Sequence, residues 1–365
     1  MFNTLMHGER FWGVLGAALG ALASFVALAF IAYGHAHAGP RGVAYVSNQD
    51  GGVSVIDLDT LRKTAVIDVE GKTPRGIGVT GDGRFLITAN RDGGDVSVID
   101  TATRKVVKHV PVGKNPEFVR VNGKYAYVSF EPSSKGGPPG SAVRADDDDD
   151  DGDKVPAEIA VIDTTTWEVT RSIKSGPETE GIEFSKDGKL LLVTNEGDNT
   201  VAVYEIATGK LVKSIDTAHL GVRPRGIKAA PDGEHYIVTL EYGDKFLLIG
   251  KNLEPVKTVA TGKTPYGVAF DRDGSRLFVA ASRDNALQVF NGRTFEHIRN
   301  IPVGERCWHF TFTPDDKQIL VACGRSNEVL AFDSTTYERV AQIPGMALPW
   351  GVVTYPRAMG SLDTP

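Results

Sequence analysis

The sequence predicts an all-β fold, a seven-bladed β-propeller with four-stranded blades, on three observations. A Gly-containing loop recurs seven times, each interval holds four short β-rich runs, and the two chain ends have complementary missing and extra strands. The loops are GKTPRG from Gly71, GKNPEF from Gly113, GPETEG from Gly176, GVRPRG from Gly221, GKTPYG from Gly262, GERCWH from Gly304 and GMALPWG from Gly345. They are spaced by 42, 63, 45, 41, 42 and 41 residues. A repeat of this length is the period of four strands per propeller blade. No interval offers the 3.6-residue periodicity of a helical solenoid.

Taken in order, the chain opens with an uncharged apolar run from Phe11 to Tyr33, followed by Ala36-His37-Ala38. Residues 1–38 therefore read as a signal peptide cleaved after Ala38, or as an anchor kept in place. Either outcome exports the remainder, so a periplasmic or extracytoplasmic location is expected. The propeller is assigned to residues 39–357. It enters at RGVAYVSN (41–48) with no preceding loop or first strand. The second unit resolves into GIGV (76–79), FLITAN (85–90), DVSVID (95–100) and KVVKHVPV (105–112). Asp-Gly pairs at 82–83, 187–188, 232–233 and 273–274 suit the tight hairpins that join first and second strands. The third runs (VSVID, VSVID, IAVID, VAVYE, FLLIG, LQVFN, VLAFD) are short and apolar, as strands buried between stacked sheets are. The long interval contains an acidic loop insert at 131–158. At the end, PWGVVTYP (349–356) supplies a first strand with nothing after it, so Gly351–Tyr355 is expected to close the ring on the N-terminal blade. Residues 358–365 read as a tail.

Composition limits the function. Forty Lys+Arg against 46 Asp+Glu give a net charge of −6, without the basic footprint of a nucleic-acid binder. Two cysteines cannot form a four-thiolate metal site, and the absence of CxxCH argues against covalent haem. Cys307 and Cys323 fall on adjacent strands of one blade. Partners across that hairpin should sum to about 631 and theirs sum to 630, so a disulfide is expected in an exported chain.

The strings YVSN, VSVID and PRGI resemble the YVTN-type propeller repeat of extracytoplasmic bacterial and archaeal proteins. Read in order, PRG, PE, EG, RPRG, PYG, RCWHFTFTPDD and LPWG resemble the propeller family associated with PQQ-dependent alcohol catabolism, over residues 41–355. That resemblance implies a non-enzymatic companion of periplasmic quinoprotein dehydrogenases, with a small-molecule ligand or a periplasmic redox protein as partner. The sequence departs from the family in the acidic insert and in TEG at 179–181.

Aligning the seven loops places Arg75, Glu117, Glu180, Arg225, Tyr266, Trp308 and Trp350 at equivalent positions around one mouth of the central channel. The loops after the second strands add Arg91, Glu131, Glu196 and Glu241, and His309 lies beside Trp308. These residues are the candidate ligand site, with an acidic side for a cation and an Arg/aromatic side for an anionic or flat ligand. The bland alternative is that Arg and Glu neutralise one another and plug the channel. In the insert, Asp147, Asp149, Asp151, Asp153 and Glu158 form a candidate calcium set in the D-x-D-x-D-G-x5-E pattern, although a run of Asp meets most of that pattern automatically. The competing function is a lactonase-like hydrolase, with a divalent metal on Glu117, Glu180, Glu196 and Asn195. A single-strand nucleic-acid reading from Arg75, Arg91, Arg225 and the aromatics is opposed by the acidic insert and net charge.

Overall fold

A computed structural model describes residues 41–70, 73–132 and 155–365. The described residues form seven four-stranded antiparallel sheets. Six are built from consecutive strands. The seventh joins the closing strand Pro349–Tyr355 to Val43–Asn48, Val53–Asp57 and Arg62–Ile67. Tyr45 pairs with Val353 and Val46 with Val352, so the ring is sealed by the strand that the sequence leaves over. Innermost strands such as Pro74–Val79 are buried along their whole length, whereas outermost strands such as Arg62–Ile67 alternate with solvent. Sheets stacked on both faces also bury third strands such as Val53–Asp57 almost completely, which is why the third runs read as apolar. The Asp-Gly turns adopt left-handed glycines, with φ of 71° at Gly83 and 77° at Gly233.

A bulge recurs in the innermost strands. Pro74 pairs with Asn90 but Ile77 pairs with Thr88, so Arg75 and Gly76 together oppose Ala89. Bulges re-aim side chains, and here each one turns a residue toward the propeller axis. The glycine of the Pro-x-Gly motif permits close blade packing: a Cβ on Gly226 would stand 2.2 Å from the Tyr266 carbonyl oxygen. The same bulge explains the cysteine register. Cys307 lies directly opposite Cys323, while His309 pairs with Ala322, one residue out of step. The two cysteines form a disulfide, as expected.

Residues 358–365 are not a tail. Ala358, Ser361, Leu362 and Asp363 are buried. The Phe312 N–H donates to the Met359 carbonyl at 2.8 Å, and the Lys228 ammonium donates to the Asp363 carbonyl at 2.7 Å. Arg357 clasps the Asp363 carboxylate at 2.9 Å. The segment lacks strand alternation, so its place is set by polar groups on innermost strands of distant blades. Asp147, Asp149, Asp151 and Asp153 lie outside the described residues. Glu158 opens the third strand of its blade, opposite Phe130 and Lys174.

Candidate functional site at the channel mouth

Three sets of blade-equivalent residues converge on the mouth. The first consists of the residues two places before each aligned ring position: Thr73, Asn115, Glu178, Arg223, Thr264, Arg306 and Leu348. All seven are left-handed, with φ between 51° and 58°. Non-glycine residues adopt this region at a cost, so a sevenfold recurrence reflects a backbone imposed by the fold. The second set is the aligned ring of Arg75, Glu117, Glu180, Arg225, Tyr266, Trp308 and Trp350. The third follows the second strands and comprises Gln49, Arg91, Glu131, Glu196, Glu241, Ser282 and Gly324. Sequence alignment of the loops found the second set and four members of the third. Gln49, Asn115, Arg223 and Arg306 were missed, although a fixed offset from the ring residue marks the last three.

The aligned ring is brought together as expected and is almost dry. Arg75, Glu117, Glu180, Arg225, Tyr266, Trp308 and Trp350 are each no more than 6% exposed. Arg75 pairs with Glu117. Arg225 is the hub: its Nη1 lies 3.0 Å from Glu180, and its Nε lies 2.5 Å from Glu196 and 2.6 Å from Glu241. Its Nη1 also donates to the Tyr266 hydroxyl at 2.6 Å, which accepts from the Trp350 indole at 3.3 Å. Arg223 reaches Glu196 at 2.5 Å from a partly exposed position. Thus most of the acidic side is neutralised internally, as the plug alternative anticipates.

The neutralisation is incomplete. Glu131 is buried, accepts from Asn115 Nδ2 at 3.4 Å, and has no cation within ion-pair distance among the described residues. Burial, reinforced by Glu180, Glu117 and Glu196, holds its carboxyl well above the usual range. Burial likewise pushes Glu117 to about 7 against the pull of Arg75, and Glu196 to about 8 against Arg223 and Arg225. Folded carboxyls that retain protons their unfolded counterparts have released make stability fall as pH rises from the ordinary carboxylate range toward 8. Glu131→Gln should therefore melt near wild type at pH 5 and above it at pH 8. Melting curves that stay parallel across this range would show that Glu131 carries no such proton.

Several buried polar atoms around the mouth have no hydrogen-bond partner among the described residues. They include both amide atoms of Gln49, Arg91 Nη1, Asn115 Oδ1, Glu131 Oε1 and the Trp308 indole nitrogen. Such atoms are rare in native interiors and each needs a water, an ion or a ligand.

His309, expected at the mouth, sits deeper. Its Nδ1 lies 3.0 Å from Ser361 Oγ, and its ring packs against Trp350, Tyr266 and Phe118 with centroids 4.2, 5.2 and 6.2 Å away. Burial holds its pKa well below the ordinary value, so the ring is neutral. Asn195 is not brought into a metal set. Its Oδ1 accepts from Ser175 and Thr179, and its Nδ2 donates to Thr200. Glu117, Glu180 and Glu196 face guanidinium groups, and no three His, Cys, Asp or Glu residues among the described residues are placed to hold a metal.

The family profile described as Cytochrome D1 heme domain matches residues 24–128 and 156–294. "Antigen Lp49" of Leptospira interrogans is 26% identical over 169 residues, covering 43% of this chain and 34% of that protein. The match thus spans about a third of that curated relative. A functionally unknown protein from Desulfotomaculum acetoxidans has a similar structure, with TM-score 0.71, 17% identity, and coverage of 86% of this chain and 98% of that one. Kuenenia stuttgartiensis Hydrazine Synthase gives TM-score 0.67 at 22% identity, covering 82% and 96%. At these identities the two structures share the fold.

The profile's description implies a haem, and the channel residues do not fit one. His309 Nε2 is buried without a partner among the described residues, the feature an axial ligand would need. A tetrapyrrole also needs a broad flat slot facing that nitrogen. Trp350, Tyr266 and Phe118 wall the imidazole, the ion-pair network closes the mouth above, and residues 357–363 fill the other side.

Proposed function

The chain belongs to the cytochrome D1 heme domain family, and from that premise and its filled channel we propose a non-catalytic binding propeller that takes a small polar ligand at the mouth. In this reading it is an extracytoplasmic accessory to a quinoprotein alcohol-oxidation system. The observation that carries the binding role is the gathering of unpartnered buried polar atoms on Gln49, Arg91, Asn115, Glu131 and Trp308. A scaffold needing only closure would fill these positions with apolar or mutually satisfied groups. The Cys307–Cys323 disulfide supports an oxidising compartment, in keeping with the signal-like residues 1–38. The ordered mouth loops support the quinoprotein association through the family they resemble.

Thermal-shift and calorimetric titration of the chain from residue 39 would use small alcohols, their aldehydes and carboxylic acids, and monosaccharides. At least one compound should bind saturably and about tenfold more weakly to Asn115→Leu, which removes an acceptor and its amide donors. Metal-dependent lactone hydrolysis lost in Glu180→Gln would overturn the non-catalytic reading. A panel without any saturable binder would overturn the binding role.

A further inference from the structure

Charge at the mouth is unequally shared. Arg75 pairs with Glu117 and lies 3.9 Å from Glu180. Arg225 serves Glu180, Glu196 and Glu241, and Arg223 serves Glu196 and, at 3.6 Å, Glu178. Arg91 is turned to Asp92 at 3.3 Å. Among the described residues, Glu131 is the buried mouth carboxylate left over, on the loop that follows Tyr125–Phe130.

Asn115 holds it in place. The Glu131 N–H donates to the Lys114 and Asn115 carbonyls at 3.2 and 3.1 Å, and Asn115 Nδ2 donates to Glu131 Oε2 at 3.4 Å. Those bonds occupy one carboxylate oxygen and the donor end of the amide. Glu131 Oε1 and Asn115 Oδ1 remain as acceptors without a hydrogen-bond partner among the described residues. Glu131 is 3% and Asn115 8% exposed, yet Lys114 is exposed and Pro132 half-buried, so the pair lies just beneath the surface. A buried carboxylate with a free oxygen and no cation is unfavourable until a positively charged donor joins it. A metal ion is a poor match. Calcium and magnesium take about six or more oxygens, and no three His, Cys, Asp or Glu residues among the described residues are grouped to hold one. An ammonium group instead carries several N–H donors around a single charge, so it can meet both acceptors and keep water on its remaining donor.

We propose that Glu131 and Asn115 form a subsite of the mouth for a primary ammonium group carried by a small ligand. This rests on the ligand-binding reading above and assigns its charge. The ammonium donates to Glu131 Oε1 and Asn115 Oδ1, and its charge is the one that the ion-pair network does not supply. Binding is linked to proton release. Burial and the facing carboxylates of Glu180, Glu117 and Glu196 keep a proton on Glu131, with Arg75 opposing them. That proton passes to solvent as the ammonium arrives, so affinity rises with pH.

The test is calorimetric titration of the chain from residue 39 with methylammonium chloride. Ionic strength is held constant with tetramethylammonium chloride, whose cation has no N–H. Methylammonium should bind saturably at pH 8 and more weakly at pH 6. Glu131→Gln keeps the shape and removes the charge, so it should weaken binding at pH 8 by at least about tenfold, with a melting curve that confirms the fold. Asn115→Leu removes one acceptor and should weaken binding severalfold. Glu168→Gln, at an exposed position on the outer strand of the same blade, should leave it unchanged. Potassium should not displace methylammonium, and potassium that binds equally well overturns the ammonium assignment. No saturable binding of methylammonium, or equal affinity in Glu131→Gln, overturns the proposal. Saturable binding of an alcohol, acid or sugar without methylammonium would overturn this inference while leaving the mouth as a binding site.

Discussion

A chain ending at residue 348 is expected to aggregate or remain unfolded. It loses the closing strand Pro349–Tyr355, which supplies every hydrogen bond on the inner edge of Val43–Asn48. Removing it opens an edge on a blade otherwise covered on both faces. It also removes Trp350, which is fully buried. Truncating a buried aromatic alone costs ~3–5 kcal/mol, a large part of the roughly 5–15 kcal/mol that holds a domain folded. A chain ending at Pro356 isolates the smaller effect. It keeps the closing strand and loses only residues 357–365, the segment held by Lys228 and braced by its own Arg357–Asp363 ion pair, so it should fold with a lowered melting temperature. Circular dichroism and scanning fluorimetry of both truncations decide the matter. A 348-residue chain that melts with the full-length protein would show that the seam does not hold the ring.

The second large effect falls on Arg225. Replacing it with Ala leaves Glu180, Glu196 and Glu241 facing one another without the guanidinium that touches all three. Breaking a buried ion pair on one side costs ~3–5 kcal/mol because the remaining charge is stranded. The carboxyls can escape by taking up protons, so the loss should be large at pH 8 and smaller at pH 5. Arg225→Lys keeps the charge but not the fork that serves Glu180 and Tyr266 from one nitrogen and the other glutamates from another, so it should fall between. A loss below about 1 kcal/mol, equal at both pH values, would mean that water screens the network.

The propeller was legible because its signals are local and repeated. Asp-Gly hairpins, continuously apolar third strands and a loop every 42 residues or so each report a nearby backbone choice, and seven copies average out the exceptions. The aligned ring was legible for the same reason, since equivalent loop positions converge in a closed ring. The bulge at Arg75–Gly76 was not, because one strand shows no sign of pairing two residues against one. It was nonetheless foreshadowed by the cysteine sum, one short of the hairpin register.

The sequence by itself determined the blade number, the closing strand and the seven residues of the aligned ring, because all of these follow from periodicity, and its register favoured the disulfide. Only the tertiary structure decided how the meeting resolves. Arg225 reaches carboxylates on three loops, Glu131 is left without a cation, and His309 drops below the mouth against Trp350. Residues 357–363 turn from an unpatterned end into the filling of the channel. These outcomes depend on distances between blades far apart in the chain, and the balance of burial against pairing at each charge is fixed by that geometry.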